Sequence, residues 1–591
     1  MSVPHCRAVV ADDHRGVLLV SDDAQPGDVA ARLRGAGLPV RWGAGRTSAG
    51  VPAMDAARLL DGVDGLEVVL DETSRQFCEN RRALAEEQRR LRALLNDLRH
   101  KPRVELESAV PEIDDVGELD DHQLRNVVAM TAEGCRGLCV FDEQGTGKTV
   151  TGIYSLDVLF ARDEAALALV VAPKSMVSEW PAELARFRPD VYAVSTLDGD
   201  RRRRRRTLAR RHDVVVCNFE AVVSLERELT GVLRRHPGRC LLYVDESFFV
   251  KNPDARRSRA LRRLREWCSR CFVLCGTPAP NAARDLVAQV DLADLGATFG
   301  HLEVPPEEPE AHEAISDALT QRGAYLRSLK QDVLPDLPGR HFDVVRVELT
   351  GQQRTAYEHA LVAMLVDLRT ETDASFARHL ASWSARRSAL LQICSDPTDL
   401  VPGFSQTPVK HVVLDELLRR FVVEGGEKVV LWSFYRTSLR ALCDRYAHLG
   451  LVRYDGSVTS VEARRRAVVA FQQDPGTRVI VANPAAAGAG LTLHAARLAV
   501  YESLSNQAAH WLQSLDRVHR RGQRREVQYV ALVCRDTIEE HEYRRLREKE
   551  RTARELLADR VEEPHTREGM LHELLDAADA IGLSRTAAVG T

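Results

Sequence analysis

No stretch of this chain is apolar for long enough to cross a bilayer, and its opening residues lack the apolar core of a secretory signal. Those absences argue against a membrane protein and lead to an expected cytoplasmic location, in a bacterium close to the nucleoid. Cysteine is sparse: twelve residues, scattered and often inside strand-like runs, which fits reduced thiols rather than a disulfide framework. Cys268, Cys271 and Cys275 surround the apolar run Phe272–Leu274 with no fourth metal ligand nearby, so they read as small buried side chains. An overall positive charge is also missing. Lys and Arg total 82 against 86 Asp and Glu, a net charge of −4, so a nucleic-acid partner would need positive charge concentrated locally. Arginine is bunched, in Arg201–Arg206 with Arg210 and Arg211 and again from Arg256 to Arg270. The six-arginine run reads equally as a nucleic-acid surface and as a solvated helix face.

What is present is a chain of 591 residues, 44% apolar and 28% charged, too long for one core and able to build several. Residues 1–70 mix short apolar runs with Gly/Asp turns and suggest a small β-containing module. From Glu79 to Arg99 the composition turns to Ala, Leu, Glu and Arg. Leu84, Leu91 and Leu98 recur every seven residues, with Leu94 and Leu95 between, which predicts one apolar stripe on a charged bracing helix. Residues 101–118 read as a linker.

Beyond the linker, apolar runs alternate with helical stretches: Leu138–Phe141, Leu167–Ala172, Val214–Cys217, Leu241–Val244 and Phe272–Leu274. A second series follows at Val429–Trp432, Val479–Ala482, Leu498–Tyr501 and Val527–Val533. Such alternation predicts parallel sheets covered by helices. The expected fold is α/β, with two parallel-sheet lobes and a cleft between them, a small N-terminal α+β module and a helical C-terminal tail. The expected bounds are 1–115, 116–345, 346–545 and 546–591. Val304–Pro309 reads as a surface loop of the first lobe.

The most informative octet is Asp142 to Thr149, D-E-Q-G-T-G-K-T, set between an apolar run and a helical segment. Such a turn aims backbone N–H groups and a helix N-terminus at a triphosphate. Gly145 and Gly147 keep side chains out of the way, with Thr146 between them. Lys148 reaches toward β- and γ-phosphates, and Thr149 offers a hydroxyl to Mg²⁺. Phosphate hydrolysis also needs carboxylates nearby. Asp245-Glu246 ends a strand-like run, where Asp245 suits Mg²⁺ and Glu246 suits orienting and deprotonating the attacking water.

Taken in order from about Leu119 to Gln523, the motifs resemble those of the helicase-superfamily-two ATPases, and within them the Swi/Snf-type DNA translocases with two RecA-like lobes. Leu119-x-x-His122-Gln123 resembles the adenine-reading glutamine motif. Pro173-Lys174-Ser175 with Glu179-Trp180, Asn218-Phe219-Glu220, Asp245-Glu246-Ser247-Phe248 with Lys251-Asn252-Pro253, and Gly276-Thr277-Pro278 with Asn281 resemble further motifs of the first lobe. Leu326 to Lys330 with Leu334 to Pro338, and Gln392-Ile393-Cys394 with Pro397, favour the Swi/Snf branch. In the second lobe Trp432 to Tyr435, Tyr454-Asp455-Gly456, Gly488 to Leu491, and Gln513-x-x-x-Arg517-x-His519-Arg520-x-Gly522-Gln523 complete the set.

The resemblance implies ATP and Mg²⁺ as cofactors and double-stranded DNA as partner. The N-terminal module is a candidate site for a protein partner. It assigns ATP contacts to Gln123, Gly490 and Gln513 and lobe coupling to Thr277 and position 248. It assigns nucleic-acid contacts to Lys174, Ser175, Asn218, Lys251, Asn281, Ser433, Asp455 and Gly488. Arg517 and Arg520, three apart and so on one face of a helix, are implied to reach the γ-phosphate from the opposite lobe. Departures are visible too. Phe248 stands where the family usually has histidine and cannot relay a hydrogen bond; Gln144 and Thr146 replace the usual Met and Leu and look harmless; Ala487 stands where glycine is common. The leading expectation is a DNA-stimulated ATPase that tracks along duplex DNA. A slow nucleotide-gated clamp or scaffold in a repair or phage-defence assembly, and an RNA-directed helicase, are the alternatives.

Overall fold

The computed structural model describes residues 3–11, 16–174, 176–276, 278, 283–302, 304–305, 308–458, 460–486, 491–505, 508–554 and 567–581. The chain divides into two compact units, Met1–Leu329 and Lys330–Thr591.

The first unit holds two sheets. The N-terminal one is built from β1 (His5–Val10), β2 (Gly16–Val20), β3 (Arg41–Trp42), β4 (Ala49–Pro52) and β5 (Glu67–Leu70), in the order β3-β4-β2-β1-β5. Its β1–β5 pair is parallel and its other pairs antiparallel. Helix Glu72–Leu98 follows, capped by Asp71, which accepts from Ser74 N at 2.7 Å. Leu84, Leu91, Leu95 and Leu98 are buried along its apolar stripe. The polar side of the helix binds the same unit. Arg81 donates to Leu295 O (2.8 Å), Gln88 to Arg322 O (3.3 Å), and Arg136 pairs with Glu87 (2.5 Å). The bracing helix expected from the leucine spacing is thus present, fastened by side-chain contacts to the helices and loops around the larger sheet.

That larger sheet contains β6 (Gly137–Val140), β7 (Leu167–Ala172), β8 (Val194–Thr196), β9 (Val214–Asn218), β10 (Cys240–Asp245), β11 (Arg270–Leu274) and β12 (Tyr325–Leu326), in the order β12-β6-β11-β10-β7-β9-β8. Every pair is parallel. Strands β6, β7, β9, β10 and β11 are buried on both faces, which is why they read as continuous apolar runs. Because the strands are parallel, the loops after β6, β7, β9, β10 and β11 gather at one edge of the sheet, where ligand sites of such folds lie.

The second unit carries β13 (Arg340–Val347), β14 (Val429–Trp432), β15 (Leu451–Tyr454), β16 (Val479–Ala482), β17 (Leu498–Tyr501) and β18 (Val527–Cys534), all pairs parallel, ordered β13-β18-β17-β14-β16-β15. Both large sheets are RecA-like. The sequence reading put the first lobe's end at 345; β13 spans that position and pairs with β18, so the second sheet begins earlier. The tail is helical, as expected. Helix Arg567–Ala580 buries Met570, Leu574, Ala577 and Ala578 against Leu361, Leu365 and Leu368 of helix Gly351–Thr370. Glu573 and Glu542 both grip the buried Arg387. The 304–309 segment lies partly outside the described residues, and its last residues open helix Glu308–Arg322.

Candidate functional site

The loop after β6 is held from below. Phe141 N donates to Leu326 O (2.8 Å) and Glu143 N to Ser328 O (2.9 Å), while the Arg327 guanidinium donates to Phe141 O. Gly145 (φ +84°) and Gly147 (φ +92°) take left-handed conformations that ordinary side chains disfavour. Gly147 then caps helix Lys148–Ala161. A Cβ on Gly147 would stand 2.1 Å from Gln123 Nε2, so any other residue there would displace that amide.

Gln123 sits against the loop itself. Its Nε2 donates to Thr146 O (3.0 Å), where His122 Nε2 also binds (3.0 Å), and its Oε1 accepts from Asp120 N (2.9 Å). The resemblance assigns this amide to adenine. Here it ties helix Asp121–Thr131 to the phosphate loop, leaving one N–H and one lone pair for a base edge. Lys148 is buried, and its ammonium donates to the carbonyls of Asp142 (2.8 Å) and Glu143 (3.2 Å), curling the loop around a cation. Thr149 is half-buried at the first turn of the helix.

Opposite the loop, β10 delivers Asp245 and Glu246. Asp245 Oδ2 accepts from Trp180 Nε1 (2.8 Å) and Oδ1 from Glu246 N (3.0 Å). Burial pushes its carboxyl above the usual range, while the Trp180 hydrogen bond and the Lys148 charge pull back. Glu246 occupies the left-handed region (φ +51°), an uncommon state that turns its side chain away from the strand direction. Its Oε1 accepts from Gln144 Nε2 at 2.6 Å. Gln144 is therefore not the harmless replacement the sequence suggested: it binds the candidate base. Hard oxygens from Thr149 and Asp245, beside a lysine and an anion-accepting helix N-terminus, form a donor set that fits Mg²⁺ and a polyphosphate.

Several expected nucleic-acid contacts are otherwise engaged. Asn218 caps helix Phe219–Ser224 by accepting from Ala221 N (2.8 Å), and Lys251 pairs with Asp285 (3.0 Å). Ser433 is fully buried, its hydroxyl donating to Glu502 (2.9 Å). Asp455 is clasped by Arg453 (2.5 Å) and by the backbone and hydroxyl of Ser457 (2.9 and 2.6 Å). These four side chains build structure: Asn218 and Asp455 bind within their own turns, while Lys251 and Ser433 meet carboxylates delivered by other elements. Lys174, after β7, is exposed. Ser175, Thr277, Asn281, Gly488 and Gly490, like Ala487, lie outside the described residues. Phe248 packs against Phe249, the rings tilted by 34° with centroids 4.6 Å apart.

In the second unit, Gln513 and Arg517 lie one turn apart on helix Ala508–Val518. Arg520 falls beyond its end, so the shared helical face expected for the two arginines is absent; Arg520 Nη1 reaches Leu491 O at 3.4 Å. Arg517 is 5% exposed, yet its Nε and Nη2 find no acceptor among the described residues. Gln523 ties the following turn to Ala496 O (2.8 Å) and His494 O (3.2 Å).

Of the arginine clusters, helix Arg201–Leu208 is largely exposed. The second cluster divides: Arg265 is buried and donates to Cys268 O (2.6 Å) and Arg136 O (2.7 Å), and Arg270 of β11 binds Ala132 O (2.8 Å). Cys268, Cys271 and Cys275 are buried around β11, where burial pushes the thiols of Cys268 and Cys271 upward. The sequence quoted Trp180 only as part of a motif; its bond to Asp245 carried no sequence signal. Gln289, buried on helix Val287–Asp294, was missed altogether.

Residues 121–398 match the model of the SNF2-related domain, and residues 410–522 that of the helicase conserved C-terminal domain. The Arabidopsis thaliana protein "ATP-dependent DNA helicase DDM1" is 26% identical over 471 residues, covering 72% of this chain and 60% of the relative. The mouse "Chromodomain-helicase-DNA-binding protein 1-like" is 29% identical over 447 residues (70% and 47%). An "Uncharacterized ATP-dependent helicase" of Mycoplasma pneumoniae is 24% identical over 406 residues (68% and 38%). The chain thus spans less than two thirds of the length of these relatives. Among solved structures, the Sulfolobus solfataricus SWI2/SNF2 ATPase core in complex with dsDNA is 19% identical, with a TM-score of 0.34, covering 80% of this chain and 95% of that one. The chain thus carries an SNF2-related domain, which includes the larger sheet of the first unit and β13 of the second, followed by a helicase conserved C-terminal domain, which includes β14 to β17.

Proposed function

We propose that this protein hydrolyses ATP and couples hydrolysis to movement along duplex DNA. The observation that carries the reading is Arg517, a buried guanidinium whose Nε and Nη2 lack acceptors among the described residues, on the segment that matches the family's arginine block. Buried donors without acceptors are costly to keep, and an anionic ligand satisfies them. In the proposed mechanism Gly145, Thr146, Gly147 and Lys148 cradle the phosphates, and Gln123 and Gln513 help position the nucleotide. Glu246 orients the attacking water and takes its proton. Mg²⁺ would be held by Thr149 and Asp245, and would neutralise charge on the β- and γ-phosphates. Arg517 and Arg520 would meet the γ-phosphate; fingers of this kind contribute about 10³-fold or more in rate. Lys174 supplies a phosphate contact to the tracked strand.

The test is ATP turnover by the purified protein with and without duplex DNA, at stated salt. Duplex should stimulate hydrolysis, Lys148→Ala and Glu246→Gln should abolish it, and Glu246→Gln should still bind ATP. Equal rates with and without DNA would remove the motor reading, and preferential stimulation by RNA would reassign the track.

A further inference from the structure

Phe248 cannot pass a hydrogen bond from the Asp245-Glu246 corner to the segment after β11, yet the structure contains a polar route one residue earlier. Ser247 begins the short helix Ser247–Val250 directly after the left-handed turn at Glu246, and is fully buried. Its hydroxyl donates to Gln289 Oε1 at 2.5 Å. Gln289, also fully buried, donates from Nε2 to Pro278 O (2.5 Å) and to Asp285 O (2.5 Å). Gln144 bounds the other flank. Its Nε2 holds Glu246 Oε1, and a Cβ on Gly276 would stand only 2.5 Å from Gln144 Cγ, so Gln144 lies against the start of the same segment. The contacts close a ring: Glu246 to Gln144, Gln144 against Gly276, Pro278 to Gln289, Gln289 to Ser247, and Ser247 back to Glu246 through the chain.

We propose that Ser247 and Gln289 are positioning residues that fix Glu246 relative to Gly276 and Pro278, taking the relay role that an aromatic ring at 248 cannot perform. The chemistry favours a committed geometry. A glutamine amide offers distinct donor and acceptor ends, so the Ser247 hydroxyl at Oε1 fixes which end faces Pro278. Neither side chain meets water, so breaking either contact leaves a buried polar group unmatched and shifts the whole ring. Glu246, already in an unfavourable backbone state, depends on its neighbours to stay there. The inference rests on the assignment of Glu246 as the base for hydrolysis.

The experiment is a double-mutant cycle on the full chain with Ser247→Ala, Gln289→Leu and both together, with Ser247→Thr as the conservative variant. The readouts are kcat and KM for ATP, with and without duplex DNA, and the thermal unfolding midpoint. A misplaced base lowers kcat by about 10-fold in each single variant, with KM for ATP within about twofold. The double variant should be no slower than either single one, and Ser247→Thr should recover most of the rate. Additive losses, a rise in KM matching the fall in kcat, or rate losses that follow the unfolding midpoint with no recovery by threonine would overturn the relay. Failure of the wild-type chain to hydrolyse ATP would remove the reading of the site and the relay with it. Hydrolysis without DNA stimulation would remove only the motor reading, since the cycle is still read in basal kcat.

Discussion

Arg517→Met should make the protein more stable and almost inactive, two effects of opposite sign from one side chain. Arg517 is 5% exposed, and its Nε and Nη2 lack acceptors among the described residues. Each buried donor without a partner costs about 1–3 kcal/mol. Methionine, of similar reach, removes both donors and the charge while keeping much of the apolar stem's packing. Allowing for some lost contact, the expected gain is about 1–3 kcal/mol, or a rise of several degrees in the unfolding midpoint of the second unit. The same change removes a guanidinium proposed to meet the γ-phosphate, so kcat should fall by about 10³, roughly 4 kcal/mol of barrier. Thermal unfolding without nucleotide and steady-state turnover at saturating ATP and duplex measure the two effects. A variant both less stable and normally active, or one losing stability and activity in parallel, would show that Arg517 is a structural residue and that the argument from its unmatched donors is wrong.

Other consequences are as specific. Gly147→Ala places a methyl on Gln123 Nε2 and strains a φ of +92°, so nucleotide binding measured by fluorescence should be lost while the fold, followed by circular dichroism, survives. Trp180→Phe removes the indole donor from Asp245 without emptying the site; the carboxyl should rise further in pKa, and titration of ATPase rate against Mg²⁺ should show weaker apparent affinity. Burial holds His301 at about 4, below its ordinary value. A depressed folded-state pKa means that the neutral ring's contribution is complete above the unfolded value of about 6.5 and is lost as pH falls toward 4. His301→Gln should flatten that part of the stability–pH profile of the first unit, and an unchanged profile would refute the assignment.

Strands buried on both faces were readable because their runs of Val, Leu and Ala leave no other consistent reading: β7 was located to the residue, and β6, β9, β10 and β11 within a few positions. The short edge strands β8 and β12 carry little apolar signal, since an edge strand pairs on one side only, and both escaped the sequence reading. Strand β13 escaped for a related reason. Its residues Arg340–Val347 are mostly exposed or half-buried and alternate weakly, and only pairing with β18 fixes them as part of the second sheet. The glycine-rich loop after β6 and the Asp245-Glu246 pair were legible as local sequence patterns. The nucleic-acid contacts were less so. Ser433 and Lys251 have side chains of suitable type, but Glu502 and Asp285, distant in sequence, engage them. Asn218 and Asp455 are spent on a helix cap and on a turn, roles that the motif resemblance did not distinguish from contact with a ligand.

The sequence alone determined the order of the buried strands, the glycines of the loop after β6, and the carboxylates at the end of β10, because each depends on contacts within a few residues of the chain. That Trp180 holds Asp245, that Gln144 holds Glu246, and that Gln289 reaches Ser247 follows from the folded arrangement. Those partners come from different strands and helices brought to one edge of a parallel sheet. A hydrogen bond between residues tens of positions apart leaves no trace in the local pattern of either.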